Sequence, residues 1–280
     1  MIDFLKLSIS FLAIMASTAC KCQELTLMTY NIRLDVASDK KNAWPNRKEM
    51  LANQILLFSP DVLGVQEARP NQVKDLSTHL TEYKNIGLGR DGENNGEHTA
   101  IYYNHNRLHL KSHGTFWLSD TPFEVSIGWD AAYPRICTYG LFEDKDSKKN
   151  FWVFNTHLDH KGKNAQLYGM QKILDNIHDL NEQNYPVILM GDFNVVPESR
   201  LIQDLKGTMN DSKELARIKF GSIGTFNGFN ILEKATRRID YIMFSMHSNL
   251  KIETYGTFST LIDQRYLSDH FPVFVKFQIN

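Results

Sequence analysis

Short apolar runs recur along the chain, with polar residues at their ends and glycine or proline scattered between them. Leu25–Tyr30, Val62–Val65, Phe151–Phe154 and Val187–Met190 are almost free of charge, and runs of that length predict buried strands. Ala100–Tyr103, Gly114–Leu118, Ile136–Phe142, Ile239–Phe244 and Phe271–Ile279 predict further strands. Helical spacing appears over Arg47–Phe58, where Leu51, Ile55 and Phe58 share a face and Pro60 stops the helix. Val73, Leu76 and Leu80 mark a second helix. The longest helix is expected over Asn164–Asn181, with Met170, Ile173, Leu174, Ile177 and Leu180 as its stripe. Strands outnumber helices, and turns come too often for a regular βαβ repeat. That favours two packed sheets with helices outside.

Residues 1–22 follow a different pattern. Lys6 precedes the apolar run Leu7–Ala16 and the small residues Ser17-Thr18-Ala19-Cys20, the order of an export signal, although Asp3 weakens its basic end. The run is too short to span a bilayer. Cleavage before Cys20 would leave a lipid-anchored protein, and simple cleavage nearby would leave a soluble secreted one. The expected location is periplasmic or cell-surface, with membrane contact only through a lipid on Cys20. Residues 23–280 show no linker or repeat and read as one domain, expected to be monomeric.

Composition narrows this further. The chain has 280 residues, of which 42% are hydrophobic, enough for a sizeable core. Its net charge of −1 lowers the expectation of sequence-independent nucleic-acid binding, which usually uses a basic stripe. Two of the three cysteines lie in the export segment, so no disulfide framework is implied. Cys137, inside a strand-like run, reads as a packing residue. His157 and His160 sit three apart, but one strand end does not readily aim both at a single zinc ion.

The candidate chemistry sits at the strand ends. Asn31 follows the first strand, Gln66-Glu67 the second, Asn155-Thr156-His157 another, and Gly191-Asp192-Phe193-Asn194 another. Asp240 opens a strand, and Ser268-Asp269-His270 precedes the last. Each piece alone is a common turn or loop feature. Their number and order are not. The set Thr29-Tyr30-Asn31-Ile32-Arg33, Gln66-Glu67, Asn155-Thr156-His157, Gly191-Asp192-Phe193-Asn194, Arg238-Ile239-Asp240-Tyr241 and Ser268-Asp269-His270 resembles the endonuclease/exonuclease/phosphatase superfamily, as does the stretch Gly224–Phe229.

The resemblance implies an α+β fold, a four-layer α/β/β/α sandwich of two mostly antiparallel sheets flanked by helices. It also implies a divalent metal at the top of the sheets, Mg²⁺ with Mn²⁺ as a substitute. Glu67, Asn31 through its amide oxygen, and Asp269 are then the metal ligands. Asp192 is the candidate general base, with Asn194 orienting water or phosphate. His270, paired with Asp240, and His157 are expected to contact the phosphoryl group. Arg33 and Arg135 are candidate substrate-binding residues, as are Trp117, Trp129 and Phe229 for an apolar wall, with Gly128–Arg135 as an unusual segment. The expected function is Mg²⁺-dependent phosphoester hydrolysis, on a small or lipid-linked substrate. A secreted nuclease and a non-catalytic binding module on the same scaffold are the competing readings.

Overall fold

The computed structural model describes residues 24–246 and 249–279, so the expected export signal and Cys20 lie outside the described residues. In chain order the first half contains β1 (Glu24–Asn31), α1 (Lys48–Phe58), β2 (Val62–Gln66), α2 (Pro70–His79), β3 (Tyr83–Ile86), β4 (Ile101–Asn104), β5 (Leu108–Trp117) and β6 (Ile136–Asp144). Then come β7 (Asn150–His157), α3 (Lys163–Leu180), β8 (Val187–Asp192), α4 (Arg200–Leu205), β9 (Met209–Asp211), α5 (Ser212–Leu215) and β10 (Ile218–Gly221). The chain closes with β11 (Asp240–Ser245), β12 (Leu250–Thr257), the small pair β13 (Leu261–Ile262) and β14 (Arg265–Tyr266), and β15 (Val273–Ile279).

Two large sheets result. One has the order β10-β12-β15-β1-β2-β4-β3, and the other β5-β6-β7-β8-β11-β9. Most neighbours are antiparallel; β1·β2, β10·β12 and β7·β8 are parallel. Three apolar clusters define the layers. Leu27, Val62, Val153, Ile188, Ile242 and Val275 pack between the sheets. Met170 and Ile173 of α3 and Ile202 of α4 cover Trp152, Phe154, Leu189 and Met243 on the outside of the six-stranded sheet. Leu51 and Ile55 of α1 and Leu76 of α2 cover Met28, Tyr30, Leu63 and Val65 on the outside of the seven-stranded one. The expected α/β/β/α sandwich is the observed fold.

Strand pleating decides what faces inward, because alternate residues point to opposite faces. On β1 the inward row runs Leu25, Leu27, Thr29, Asn31; on β2 it runs Val62, Gly64, Gln66. Opposite them run Phe151, Val153, Asn155, His157 on β7 and Ile188, Met190, Asp192 on β8. Each row is apolar at one end and polar at the other, so the gap between the sheets changes from dry core to polar site along one direction.

The transition is bridged by side chains. Asn155 Nδ2 donates across the gap to Val65 O and Ala100 O, both at 3.0 Å. Gln66 Nε2 donates to Asn155 Oδ1 at 2.7 Å and Thr29 Oγ1 at 3.0 Å. Gly64 makes room for this crossing: a Cβ there would sit 2.7 Å from Met190 Cε and 2.8 Å from Asn155 Cγ.

Strand β12 was not legible in the sequence. Lys251 lies on its exposed side and Glu253 pairs with Lys251 and Arg217, so the charges hide its buried Ile252 and Tyr255. Antiparallel pairing with β15 supplies what its pattern lacks.

The Asn155 bridge gives a stability prediction. Asn155→Ala removes the donor to the Val65 and Ala100 carbonyls and one of the acceptors of the Gln66 amide, and should cost about 3 kcal/mol. Urea unfolding followed by circular dichroism measures it; a loss within about 0.5 kcal/mol of zero would show that the bridge carries no load.

Candidate active site

Register brings distant residues together. Asp192 is the cross-strand partner of Asp240 on one side and of His157 on the other. Asn31 and Gln66 are partners at the matching edge of the opposing sheet. Asn31 Nδ2 then spans the gap, 3.0 Å from Glu67 Oε1 and 3.0 Å from Asp192 Oδ2. Asn31, Asp192 and Asp240 are buried almost completely. Where the chain leaves these strands, Arg33, Glu67 and Asn194 adopt φ of 56°, 62° and 56°. Left-handed conformations at three such exits are strain of the kind concentrated at functional sites.

The Asn31 amide oxygen, the expected metal ligand, also takes a backbone contact. Asn31 Oδ1 accepts the backbone N–H of Arg33 at 3.0 Å, which fixes the amide with its NH₂ toward the two carboxylates. Asn31 therefore orients Glu67 and Asp192 as a donor.

His270 Nδ1 lies 2.9 Å from Asp240 Oδ2 and 3.2 Å from Oδ1. Its Nε2 lies 3.7 Å from Asp192 Oδ2. Burial disfavours the imidazolium, but the carboxylates of Asp240 and Asp192 outweigh it and push the His270 pKa up to about 10. Asp192 moves the opposite way from a surface carboxylate. Burial, then repulsion from Asp240, raises its pKa to about 7, against the pull of His270 and the Asn31 amide. Its Oδ1 accepts the Asn194 backbone N–H at 2.9 Å. His157 is held neutral: burial, then the positive field of Arg135, pushes its pKa well below the usual histidine range. Its Nε2 accepts from Asn194 Nδ2 at 3.0 Å and lies 3.5 Å from Asp192 Oδ2. Two histidines in different protonation states thus flank one carboxylate.

Two groups of side chains offer metal-ligand atoms. Asp192, Asp240 and His270 present theirs within 4.8 Å of one another. That set mixes two carboxylates with one imidazole, and its His270 Nδ1 is engaged by Asp240. The second group is Glu67 and Asp269, whose carboxylates both lie near one cation, Arg33 Nη1, at 4.0 and 3.8 Å. Arg33 is itself held by Asp39 at 2.9 Å. Two carboxylates sharing one positive group, with only oxygen donors, fit a hard divalent ion.

A cavity of about 650 Å³ opens over these groups. Glu67, His157, Asp192, Asn194, Asp269 and His270 line it, and Asn31 and Asp240 stand behind them. Arg33 and Arg135 line it as well, but neither guanidinium is free. Arg135 is buried, with Nε on Asp159 at 3.1 Å and Nη2 on His160 at 3.1 Å. Trp117 belongs to the core and donates Nε1 to Arg90 O at 2.8 Å. Trp129 packs on Tyr168, and Phe229 lies 6.0 Å from the Arg47 guanidinium.

Supporting residues escaped the sequence reading. Thr225 Oγ1 accepts the Ile239 and Asp240 N–H groups at 3.0 and 3.1 Å, and Phe226 packs edge-on against His270. Asn227 N–H donates to Asp269 O, so the Gly224–Phe229 stretch clasps the His270 loop from behind. Buried Arg47 donates to the carbonyls of Ile32, Arg33, Asn42 and Leu267, tying the Asn31 and Asp269 loops together. The stretch was visible as a motif, but its partners were not; Arg47 left no signal beyond a helix start.

Known proteins are similar to this chain in sequence and in fold. The chain is similar to a solved endonuclease/exonuclease/phosphatase family protein from Bacteroides thetaiotaomicron, with 34% identity, 92% of this chain and 98% of that one covered, and a TM-score of 0.87. A mannosyl-6-phosphatase from Bacteroides thetaiotaomicron VPI-5482 is 35% identical, over 90% of this chain and 99% of its own, with a TM-score of 0.87. An uncharacterised protein of Acanthamoeba polyphaga mimivirus is 27% identical over 256 residues, 84% of this chain and 92% of that one. The family model described as Endonuclease/Exonuclease/phosphatase family matches residues 28–270, which takes in the polar strand ends from Asn31 to His270, and this chain belongs to that family.

Proposed function

We propose that the chain is a metal-dependent hydrolase that removes a phosphoryl group from a small polar alcohol. The observation that carries this reading is the cavity itself. Acids, amides and histidines from both sheets converge at its base, its walls carry polar and apolar surface together, and its volume is of small-molecule size. The phosphatase named among the similar structures supports a monoester.

Glu67 and Asp269 would hold a divalent cation, expected to be Mg²⁺, with Asn31 fixing Glu67. Such an ion supplies charge neutralisation at phosphoryl oxygens. The chain's own residues do the rest. Asp192, a buried carboxylate of raised pKa, takes the proton of the attacking water. Asn194 lies between Asp192 and His157 and orients that water. His270, kept charged by Asp240, donates to a phosphoryl oxygen as charge builds there. The order of basic, apolar and small residues over 1–22 supports export, either with a lipid on Cys20 or as a soluble secreted form. The competing nuclease reading requires a basic groove, and the net charge of −1 gives it little support.

Three outcomes are expected. Asp192→Asn should lower kcat on mannose 6-phosphate by roughly 10²- to 10⁴-fold, with Mg²⁺ binding by calorimetry largely kept; near wild-type turnover removes Asp192 as the base. Glu67→Ala should raise the Mg²⁺ concentration for half-maximal activity by roughly tenfold or more, and calorimetry should show the same weakening; an unshifted titration removes Glu67 from the metal site. Cys20→Ser should move the protein from the membrane to the soluble fraction of its host, and an unchanged distribution excludes the anchor. Plasmid DNA assayed beside mannose 6-phosphate across a salt series separates the two substrate readings.

A further inference from the structure

The segment Gly128–Arg135 takes no part in the chemistry above, yet it builds one wall of the same cavity. Tyr133 and Arg135 line the cavity together with Arg90, Glu97 and His160. The Arg90 guanidinium lies over the Tyr133 ring, 4.7 Å from its centroid. The Tyr133 and His160 rings are nearly parallel, 18° apart with centroids 6.1 Å apart. Arg135 Nη2 donates to His160 Nδ1, which leaves Nε2 to carry the N–H of that neutral ring. Beside this stack Arg90 Nη2 pairs with Glu97 Oε1 at 2.9 Å, and both side chains are about 15% exposed. Tyr133 itself stays 49% exposed.

The wall is held rigidly. Asp130 accepts the Ala165 N–H at 2.7 Å in the first turn of α3. Ala132 N–H and Arg135 Nε both donate to Asp159 Oδ2, at 3.0 and 3.1 Å. The backbones meet so closely that a Cβ on Gly162 would lie 2.5 Å from Asp130 O. A wall fixed in this way is pre-organised, and pre-organisation favours selectivity over adaptability.

Its chemistry limits what can rest there. An apolar leaving group would strip water from Arg90 and Glu97 and return no hydrogen bonds. A polyanion would meet the Glu97 carboxylate. A ring bearing several hydroxyls offers donors to Glu97, acceptors to Arg90, and C–H faces to Tyr133. We propose that Arg90, Glu97, Tyr133 and His160 form the subsite for the leaving alcohol and select a hexose. This rests on the hydrolase reading above and adds to it the residues that read the sugar.

The test compares kcat/KM for mannose 6-phosphate with that for n-butyl phosphate, which has no free hydroxyls. The wild type should prefer the sugar, and Tyr133→Ala and Glu97→Gln should each lower that ratio by about five- to tenfold. Glu97→Gln keeps size and fold while changing an acceptor, so it separates a lost contact from a lost structure. Calorimetry of mannose 6-phosphate on the Asp192→Asn protein, with and without Tyr133→Ala, should show a matching loss of affinity with turnover suppressed. A ratio unchanged within about twofold in both variants, or binding indifferent to Tyr133→Ala, overturns the sugar subsite and leaves the hydrolase standing. Failure of the wild type to hydrolyse or bind either ester overturns both.

Discussion

One amide joins the two halves of this protein's chemistry. Asn31 stands at the end of a strand in one sheet and donates to Glu67 beside it and to Asp192 in the other sheet. The group that would hold a cation and the group that would activate water are thereby set at a fixed separation. Its oxygen is committed to the Arg33 N–H, so the amide has one orientation. Such fixing matters because small misplacements of reacting groups cost large factors in rate. The sheets hold Asn31 in turn through a dry core below and the Asn155–Gln66 bridge between.

Charge balance is the second constraint. Asp192 and Asp269 are both buried within one small region, and burial raises the pKa of each. His270 offsets this at both, and Arg33 is a further cation beside Asp269. His157 cannot be a further cation in the field of Arg135 and His270, so it serves as an acceptor. The same residue type thus takes opposite roles on either side of Asp192: burial, then nearby cations, keeps His157 neutral, whereas at His270 the carboxylates outweigh burial.

The cavity wall follows a different logic from its base. Base residues come from strand ends, whose positions the sheets determine. The wall comes from a loop, which reaches comparable rigidity by anchoring to α3 and to Asp159. This division allows the wall to vary while the strand-end residues at the cavity base stay in place.

The sequence alone determined more of this protein than is usual. Each site motif sits at the end of an apolar run, so strand position and site membership were legible together; the layer order came from the resemblance those motifs carry. Strand β12 was hidden by its charges, and Arg47 and Thr225 by partners far away along the chain. The tertiary structure alone decided direction: which atom of Asn31 faces the acids, which carboxylates each histidine meets, and that Arg135 braces a loop through Asp159 and His160 while lining the cavity. Those are properties of pairs of residues remote in sequence. Periodicity tells a side chain which face to take, but only the packed neighbours set its field and its hydrogen-bond partner.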